Sequence, residues 1–335
     1  MTLPSYVSRE ALMAATDITP SLAVSSQLDR ILQATARGID DHFHRHFYVL
    51  TEARTFDRYQ QNRQHRYGLG SGFLLNKDLL SYTTVVVDDT TITSGIEVAP
   101  QEGPRYDWIN QQGDVVTITG DWGYNTDTTS PAGALAEDLD GTETGVDVTD
   151  SSKIGTLDAI IVNSERMVVT ARSLLDTTAD LAADLTAVAS DVTVTVDDGS
   201  LVNAGETITI ESENMFVLSI AGNDLTVIRA TEGTVLAAHT GTLDVYAPRT
   251  LTVERGALGS TAATHSSADA VVKYQAPPVI RELQMAEALT QFEQEKAGFG
   301  RTVGSGEGAR EAAGKGIEDI RRRASKYRKV RLASI

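Results

Sequence analysis

A carboxylate, a guanidinium and an imidazole recur together at two places in the middle of this sequence. The two sets are Glu165, Arg255 and His265, and Glu213, Arg229 and His239. A shift of 48 residues relates the glutamates, and a shift of 26 residues relates the arginines and the histidines. Such groups could bind a sugar or a metal ion, but buried charges usually occur in pairs. We therefore interpret each Glu and Arg as an ion pair, and each His as a hydrogen-bonding group that closes the fold.

The two shifts fit one arrangement, in which a second copy of a β-rich repeat is inserted into a loop of the first. Copy A consists of residues 144–172 and 250–273, and copy B consists of residues 190–247, which fill the gap. Apolar residues alternate along copy B, and Gly222-Asn223 supplies a two-residue hairpin turn. The pattern predicts that each copy is a small antiparallel barrel or roll.

The sequence as a whole predicts an α+β fold in which an all-β insertion of two nested repeat modules interrupts another domain. Residues 1–125 and 276–308 are expected to form that discontinuous domain, a small helical bundle with β-hairpins. Residues 126–275 are expected to form the insertion, and residues 309–335 a basic arm.

Local patterns in the flanks support that division. Apolar residues at helical spacing predict helices that begin near Ser8, Ser26 and Val279. Between Thr51 and Thr119, short runs rich in Val, Ile, Thr and Tyr are separated by Gly, Pro, Asp and Asn. These runs predict strands joined as hairpins.

Nearly all of the net charge of the chain lies in the insertion. The 335 residues carry a net charge of −17, and the segment from Asp127 to Lys273 holds 23 acidic residues against 7 basic ones. An acidic segment of this kind is expected to be a solvated module that avoids anionic partners such as DNA. The chain has no cysteine, which excludes disulfides and thiolate metal sites. No apolar run predicts a membrane span or a signal peptide, so we expect a protein made in the cytoplasm.

Several motifs follow one another in the amino-terminal flank. The predicted helix ends in HFHRHFY at residues 42–48, and a strand containing RTFD follows. The strand DLLSYTTV begins at Asp78, the segment GPRYDWI begins at Gly103, and GDVVTITGDWGY ends at Tyr124. In this order they resemble the head–tail connector (adaptor or head completion) proteins of long-tailed bacteriophages, and the resemblance covers roughly residues 1–125 and 277–300. In that family the chain passes almost directly from the Trp-Gly-Tyr turn into a helix, whereas here about 150 residues intervene.

The resemblance implies a structural virion protein rather than an enzyme, with no cofactor and no metal. Members of the family form a ring at the phage neck, and the resemblance implies twelve subunits. One face of the ring would bind the portal protein, and the other a tail-side stopper or tail-terminator protein. DNA would pass through the channel without sequence-specific binding. The expected location is the head–tail junction of the virion, after assembly in the host cytoplasm, with no membrane partner.

A basic run follows the glycine-rich stretch that begins at Gly298. Its candidate portal-binding residues are Lys315, Arg321, Arg322, Arg323, Lys326, Tyr327, Arg328, Lys329 and Arg331. Because glycine-rich linkers are flexible, we expect this arm to reach away from its own domain and dock on an acidic partner. A solvated tail is the simpler interpretation of a terminal basic run.

Other candidate residues have less support. Arg58, Arg63 and Arg66 predict a basic hairpin tip that would face the channel or the tail. His42, His44 and His46 have metal-ligand chemistry, but they end a helix, where they favour the helix dipole. The sequence contains no recognisable nucleophile elbow or catalytic triad, so no catalytic residue is assigned.

Two alternatives from other classes remain open. In the first, the β insertion is a virion decoration or a receptor- or glycan-binding module, and the flanking domain is its anchor. In the second, the acidic insertion is a carbohydrate-active enzyme. Binding of the 126–275 fragment to cells or glycans would favour the first, and turnover of a polysaccharide would favour the second.

Overall fold

The computed structural model describes residues 2–15, 21–57, 73–100, 106–129, 132–296, 302–303, 310–311 and 315–329. Strands account for 38% of the structure and helices for 23%. The predicted small helical bundle with β-hairpins is therefore wrong. The strands of the flanking domain pair into one large antiparallel sheet instead of separate hairpins, and the apolar face of that sheet forms the core.

Four α-helices lie in the described residues. They are α1 (Arg9–Ala14), α2 (Leu22–Phe43), α3 (Pro278–Lys296) and α4 (Lys315–Ala324). Ser8 caps α1, since its hydroxyl accepts a 3.3 Å hydrogen bond from the Ala11 amide. Helix α3 buries Ile280, Leu283 and Phe292, the residues whose helical spacing sets its register.

The flanking sheet contains six strands. They are β1 (Leu50–Asp57), β2 (Phe73–Val87), β3 (Thr90–Ile92), β4 (Glu97–Pro100), β5 (Tyr106–Asn110) and β6 (Val115–Trp122). The order is β1-β6-β2-β5-β4, and β3 pairs with β2. Strand β6 alternates between buried and less buried residues, and Val116, Ile118 and Trp122 point into the core. The long-range pairing of β1 with β6 joins Leu50 to Trp122 and places β1 at one end of the strand order.

The insertion forms a second antiparallel sheet of nine strands. They are β7 (Gly145–Asp147), β8 (Ala159–Val162), β9 (Glu165–Asp180), β10 (Thr193–Thr195), β11 (Thr207–Ile210), β12 (Glu213–Ala221), β13 (Asp224–Ile228), β14 (Asp244–Glu254) and β15 (Val271–Lys273). The order is β10-β13-β12-β11-β14-β9-β8-β15, with β7 paired to β14. The long strands β9 and β14 pair over most of their length and run through both copies.

Each copy of the repeat has its own apolar core. The core of copy A includes Val146, Met167, Val169, Leu251 and Val271. The core of copy B includes Val194, Met215, Val217, Leu225 and Val245. Met167 and Met215 are fully buried and are related by the same 48-residue shift as the glutamates. The shift therefore relates equivalent core positions as well as equivalent charges.

The chain divides into two compact units. Unit 1 consists of residues 1–33, 128–257 and 261–274, and unit 2 of residues 34–127, 258–260 and 275–335. The sequence prediction grouped residues 1–33 with the flanking domain, whereas here they belong with the insertion. The reason is a set of hydrogen bonds to copy A: the Ser5 amide donates to the Leu157 carbonyl at 2.9 Å, and Glu10 accepts from Thr156 at 2.7 and 2.8 Å.

Candidate functional site

A buried ion pair links Glu213 to Arg229 in copy B. Glu213 begins β12 and Arg229 follows β13, and because Phe216 pairs with Ile228 both charged residues lie at one end of this hairpin. The Arg229 Nε and Nη2 atoms donate to the two carboxylate oxygens of Glu213 at 2.6 and 2.7 Å. The His239 Nε2 atom lies 2.9 Å from Glu213 Oε2, and the side chains of Glu213 and His239 are fully buried. The arrangement is a bidentate pair with a third group on the same carboxylate.

Backbone amides and carbonyls form further hydrogen bonds with the side chains of this pair. The amides of Ala230 and Ala237 each donate to Glu213 at 3.0 Å. Arg229 donates its other N–H groups to the carbonyls of Thr186, Asp191 and Ala237, at 2.6 to 3.2 Å. The loop between Arg229 and His239 is therefore tied back to the strand that carries Glu213.

Copy A repeats the same cluster. Arg255 Nε and Nη2 donate to Glu165 at 2.7 and 2.8 Å, and His265 Nε2 lies 2.8 Å from Glu165 Oε2. The amides of Gly256 and Ala263 each donate to Glu165 at 2.9 Å. The backbone donors correspond to those of copy B at a shift of 26 residues. The hydrogen-bonding pattern thus recurs together with the residue types.

Both glutamates are ionised at neutral pH. Burial alone would raise the pKa of Glu213, but hydrogen bonds from Arg229, the Ala237 amide and His239 overcome it and lower the pKa to about 2. Glu165 has the same balance, and its pKa is also lowered to about 2. A carboxylate that stays ionised and accepts four or more hydrogen bonds is poorly suited to act as a general acid or to bind a ligand. The geometry supports the structural interpretation of these six residues rather than a sugar or metal site.

The lowered pKa values predict a stability that depends on pH. A carboxyl group with a folded pKa of about 2, against a usual value of 4.5, stabilises the fold fully above pH 4.5. This contribution is lost as the pH falls through 2, because protonation then favours the unfolded chain. We expect the midpoint temperature of thermal unfolding to decrease as the pH is lowered from about 5 to about 2. Circular dichroism at a series of pH values measures this midpoint temperature. Glu213→Gln should reduce its dependence on pH, because the substituted side chain does not titrate. An unchanged pH dependence in the variant would contradict the role assigned to Glu213.

A third buried pair joins the two copies to each other. Glu206 accepts hydrogen bonds from Arg249 at 2.7 and 3.0 Å, and its side chain is completely buried. It also accepts from the amide and hydroxyl of Ser151, at 2.7 and 3.0 Å, and from the amide of Asn203 at 3.1 Å. Asn203 in turn donates to the Thr149 carbonyl at 2.9 Å. Because Thr149 and Ser151 belong to copy A, this cluster fixes copy B to copy A.

We call the cluster around Glu206 and Arg249 the joint between the copies, and sequence reasoning missed it. The 48-residue shift places Glu206 over Asp158, so the alignment of the copies did contain a recurring acid. Their partners differ, however, because Asp158 pairs with Lys273 at 2.8 Å within copy A. The position of copy B that is equivalent to Arg249 is occupied by Asn223. Arg249 therefore does not recur, and the repeat does not identify it as important. Only the three-dimensional contact reveals the pair.

The basic run after residue 314 packs against other parts of unit 2, the unit to which it belongs. Arg321 and Arg323 of α4 pair with Glu287 and Glu282 of α3 at 2.9 and 2.6 Å. The Lys329 Nζ atom lies 3.2 Å from Asp78, and its amide donates to the Phe43 carbonyl at 3.0 Å. Residues 315–329 of the predicted arm therefore do not project. They pack against their own unit, because acidic partners are available there.

The other predicted arm residues have different surroundings. Arg322, Lys326 and Arg328 are exposed, and Arg322 pairs with its helix neighbour Asp319. The Tyr327 ring packs edge-on against the rings of Phe47 and Tyr124. Residue Lys315 begins α4. Arg331 lies outside the described residues, as do Arg58, Arg63 and Arg66 of the predicted hairpin tip.

Three of the motifs that carry the connector resemblance, those at residues 42–48, 78–85 and 113–124, meet at one corner of unit 2. A Cβ on Gly120 would lie 2.1 Å from the Ser81 carbonyl oxygen, so only glycine lets β6 approach β2 here. Trp122 is fully buried, and its indole N–H donates to the Glu52 carbonyl at 3.0 Å.

The residues after Trp122 extend this corner. The Gly123 amide donates to the Asp78 carbonyl at 2.9 Å, and the Tyr124 amide donates to the His46 carbonyl at 3.0 Å. Arg45 pairs with the buried Asp78 at 3.2 Å. The end of α2, the start of DLLSYTTV and the GDWGY turn thus stabilise one another.

The described part of the chain contains neither a cluster of metal-ligating side chains nor a helix that could span a membrane. No group of three or more His, Asp or Glu side chains there could hold a metal ion. His46 instead contacts the Tyr48 carbonyl at 2.8 Å and Arg54 at 3.2 Å. None of the helices described is long and apolar enough to cross a membrane.

Comparison with known proteins gives no relative. Searches of protein-family models, curated proteins and solved structures found no match to this chain. The function must therefore be argued from the residues and contacts themselves.

Proposed function

We propose that this chain is a structural virion protein that forms a ring at the neck of a long-tailed phage, joins the portal to the tail and lets DNA pass. The observation that carries the proposal is the meeting of the motif residues at one corner of unit 2. Gly120, Trp122 and Gly123 have packing roles there that explain why these residue types stand together. These contacts support an interpretation of the motifs as parts of one structural element.

The portal-binding surface in this proposal is the outer side of α4 and the turn that follows it. Arg322, Lys326 and Arg328 are exposed, and Arg322 pairs with Asp319 of its own helix, whereas Arg321 and Arg323 pair with acids of α3. An exposed cluster of cations can steer and orient an acidic partner. We assign portal docking to these three residues instead of to a freely projecting arm.

Ring assembly requires a contact between two different surfaces of neighbouring subunits, repeated until it closes. The resemblance implies twelve subunits to match the portal, with a stopper or tail-terminator protein on the tail side. In this arrangement the acidic insertion is a surface module of the neck. Its buried Glu–Arg–His clusters give it a rigid fold without a catalytic role.

Immunogold labelling of intact virions tests the proposal. Antibody raised against the 126–275 fragment should label the head–tail junction, because the insertion is a solvated part of the neck protein. Label at the tail tip or over the capsid would contradict the proposal and indicate receptor binding or decoration. Antibody against a synthetic α3 peptide, residues 278–296, applied to dissociated necks is the control that unit 2 is present in the same particles.

A further inference from the structure

An apolar groove of about 450 Å³ lies on the outer face of copy B. Its lining includes Val192, Leu218, Thr226, Ile228, Ala230 and Leu236, and we call it the copy-B groove. Leu218 and Ile228 are 52% and 49% exposed, and Val235, beside Leu236, is 79% exposed. Large apolar side chains exposed together commonly mark a binding surface.

Copy A serves as an internal control for this groove. Strands β12 and β13 place Leu218 and Ile228 where copy A has Thr170 and Glu254, at the shifts of 48 and 26 residues. The Thr170 hydroxyl donates to the Thr252 carbonyl at 3.1 Å, and Glu254 accepts from the Thr2 amide at 2.6 Å. The same fold is thus built with polar residues on this face. The apolar residues of copy B are not needed for folding, and they require another explanation.

Copy A also indicates what kind of group lies against such a face. Residues 2–5 form neither helix nor strand, and they run past copy A. The Thr2 amide binds Glu254, and the Ser5 amide binds the Leu157 carbonyl at 2.9 Å. In copy A a short non-helical segment of polypeptide therefore contacts Glu254, the residue equivalent to Ile228 of the groove.

The charge of copy B restricts the chemistry of its partner. Residues 190–247 contain nine acidic residues and a single base, Arg229. Arg229 lines the groove, but Glu213 and three carbonyls take up its guanidinium donors. Asp191, Asp224 and Glu232 flank the lining residues in sequence, and hydrogen bonds from Thr186 lower the pKa of Asp191. A second copy-B face would be repelled, whereas lysine or arginine side chains would be attracted to this acidic module.

We propose that the copy-B groove binds a non-helical segment of a partner protein in which apolar side chains alternate with lysine or arginine. The apolar side chains would cover Leu218, Ile228 and Val192, and the basic side chains would be attracted by the carboxylates of copy B. This inference does not depend on the neck location proposed above, since it follows from the comparison of the two copies.

Fluorescence anisotropy of the full-length protein with a labelled peptide, KLKVKLK, tests the groove. We expect the peptide to bind, and to bind more weakly at 300 mM than at 50 mM salt. The double variant Val192→Thr and Leu218→Thr carries the residues of copy A and keeps the net charge. The affinity of this variant for the peptide should be lower by a factor of at least about ten. The peptide ELEVELE, which carries the opposite charge, and the peptide KSKTKSK, which lacks the apolar residues, should not bind.

Matched controls separate the possible outcomes. Leu174→Thr removes a half-exposed apolar side chain outside the groove and should bind KLKVKLK like the wild type. Equal affinity of the Val192→Thr, Leu218→Thr variant, or no binding of KLKVKLK at all, would overturn the proposal. Self-association seen by light scattering and lost in that variant would also overturn it, because the occupant would then be a second copy of this chain. Failure of the neck labelling would leave these measurements unaffected.

Discussion

Replacing Arg229 by methionine is expected to lower the free energy of unfolding of copy B by about 3–5 kcal/mol. Methionine keeps much of the side-chain volume but leaves the buried carboxylate of Glu213 without its bidentate partner. The carbonyls of Thr186, Asp191 and Ala237 lose their donor as well. Hydrogen exchange measured by mass spectrometry should show faster exchange over β12, β13 and the loop that ends at His239.

Two further variants control this prediction. Arg255→Met removes the equivalent residue of copy A, and the faster exchange should then move to the start of β9, the end of β14 and the loop that ends at His265. Arg322→Met removes an arginine that is 82% exposed, and it should change the free energy of unfolding by less than about 0.5 kcal/mol. If Arg229→Met were as mild as Arg322→Met, the cluster would not be a structural element.

The importance of these residues could be predicted from the sequence because the chain contains its own comparison. Glu213, Arg229 and His239 recur at constant shifts, and the structure brings them within hydrogen-bonding distance. A repeat retains the residues that its fold requires, so recurrence alone pointed to them. The saturating amides of Ala230 and Ala237 were not predictable, because backbone groups leave no trace in residue types.

The fold class was less predictable. Helical periodicity is a local signal, and α2 and α3 were anticipated from it. Strand pairing is not local: β1 pairs with β6, so Asp57 faces Val115 across more than fifty residues. The intervening strands were therefore assigned to separate hairpins, and the six-stranded sheet was missed. The position of α4 was missed for the same reason, since the pairing of Arg323 with Glu282 depends on how two distant helices pack.

The joint between the copies leads to the second large expected effect. Glu206→Leu should lower the free energy of unfolding by about 3–5 kcal/mol, because Arg249 stays buried and, among the described residues, keeps the Leu201 carbonyl as its hydrogen-bond acceptor. The Ser151 amide and hydroxyl also lose their acceptor. Equilibrium denaturation measures the loss. Hydrogen exchange at the Ser151 and Asn203 amides shows whether the damage lies at the joint.

A double variant distinguishes an ion pair from simple packing at this joint. Glu206→Leu with Arg249→Leu removes both charges and leaves apolar groups of similar size, an exchange that is often close to neutral in buried pairs. We expect the double variant to recover at least about half of the stability lost in Glu206→Leu. Lys273→Met at the Asp158 pair of copy A is the comparison, and since Lys273 is 20% exposed its loss should be smaller, about 1 kcal/mol. Additive losses in the double variant would show that Glu206 and Arg249 act separately, and copy B would then be held to copy A mainly by β9 and β14.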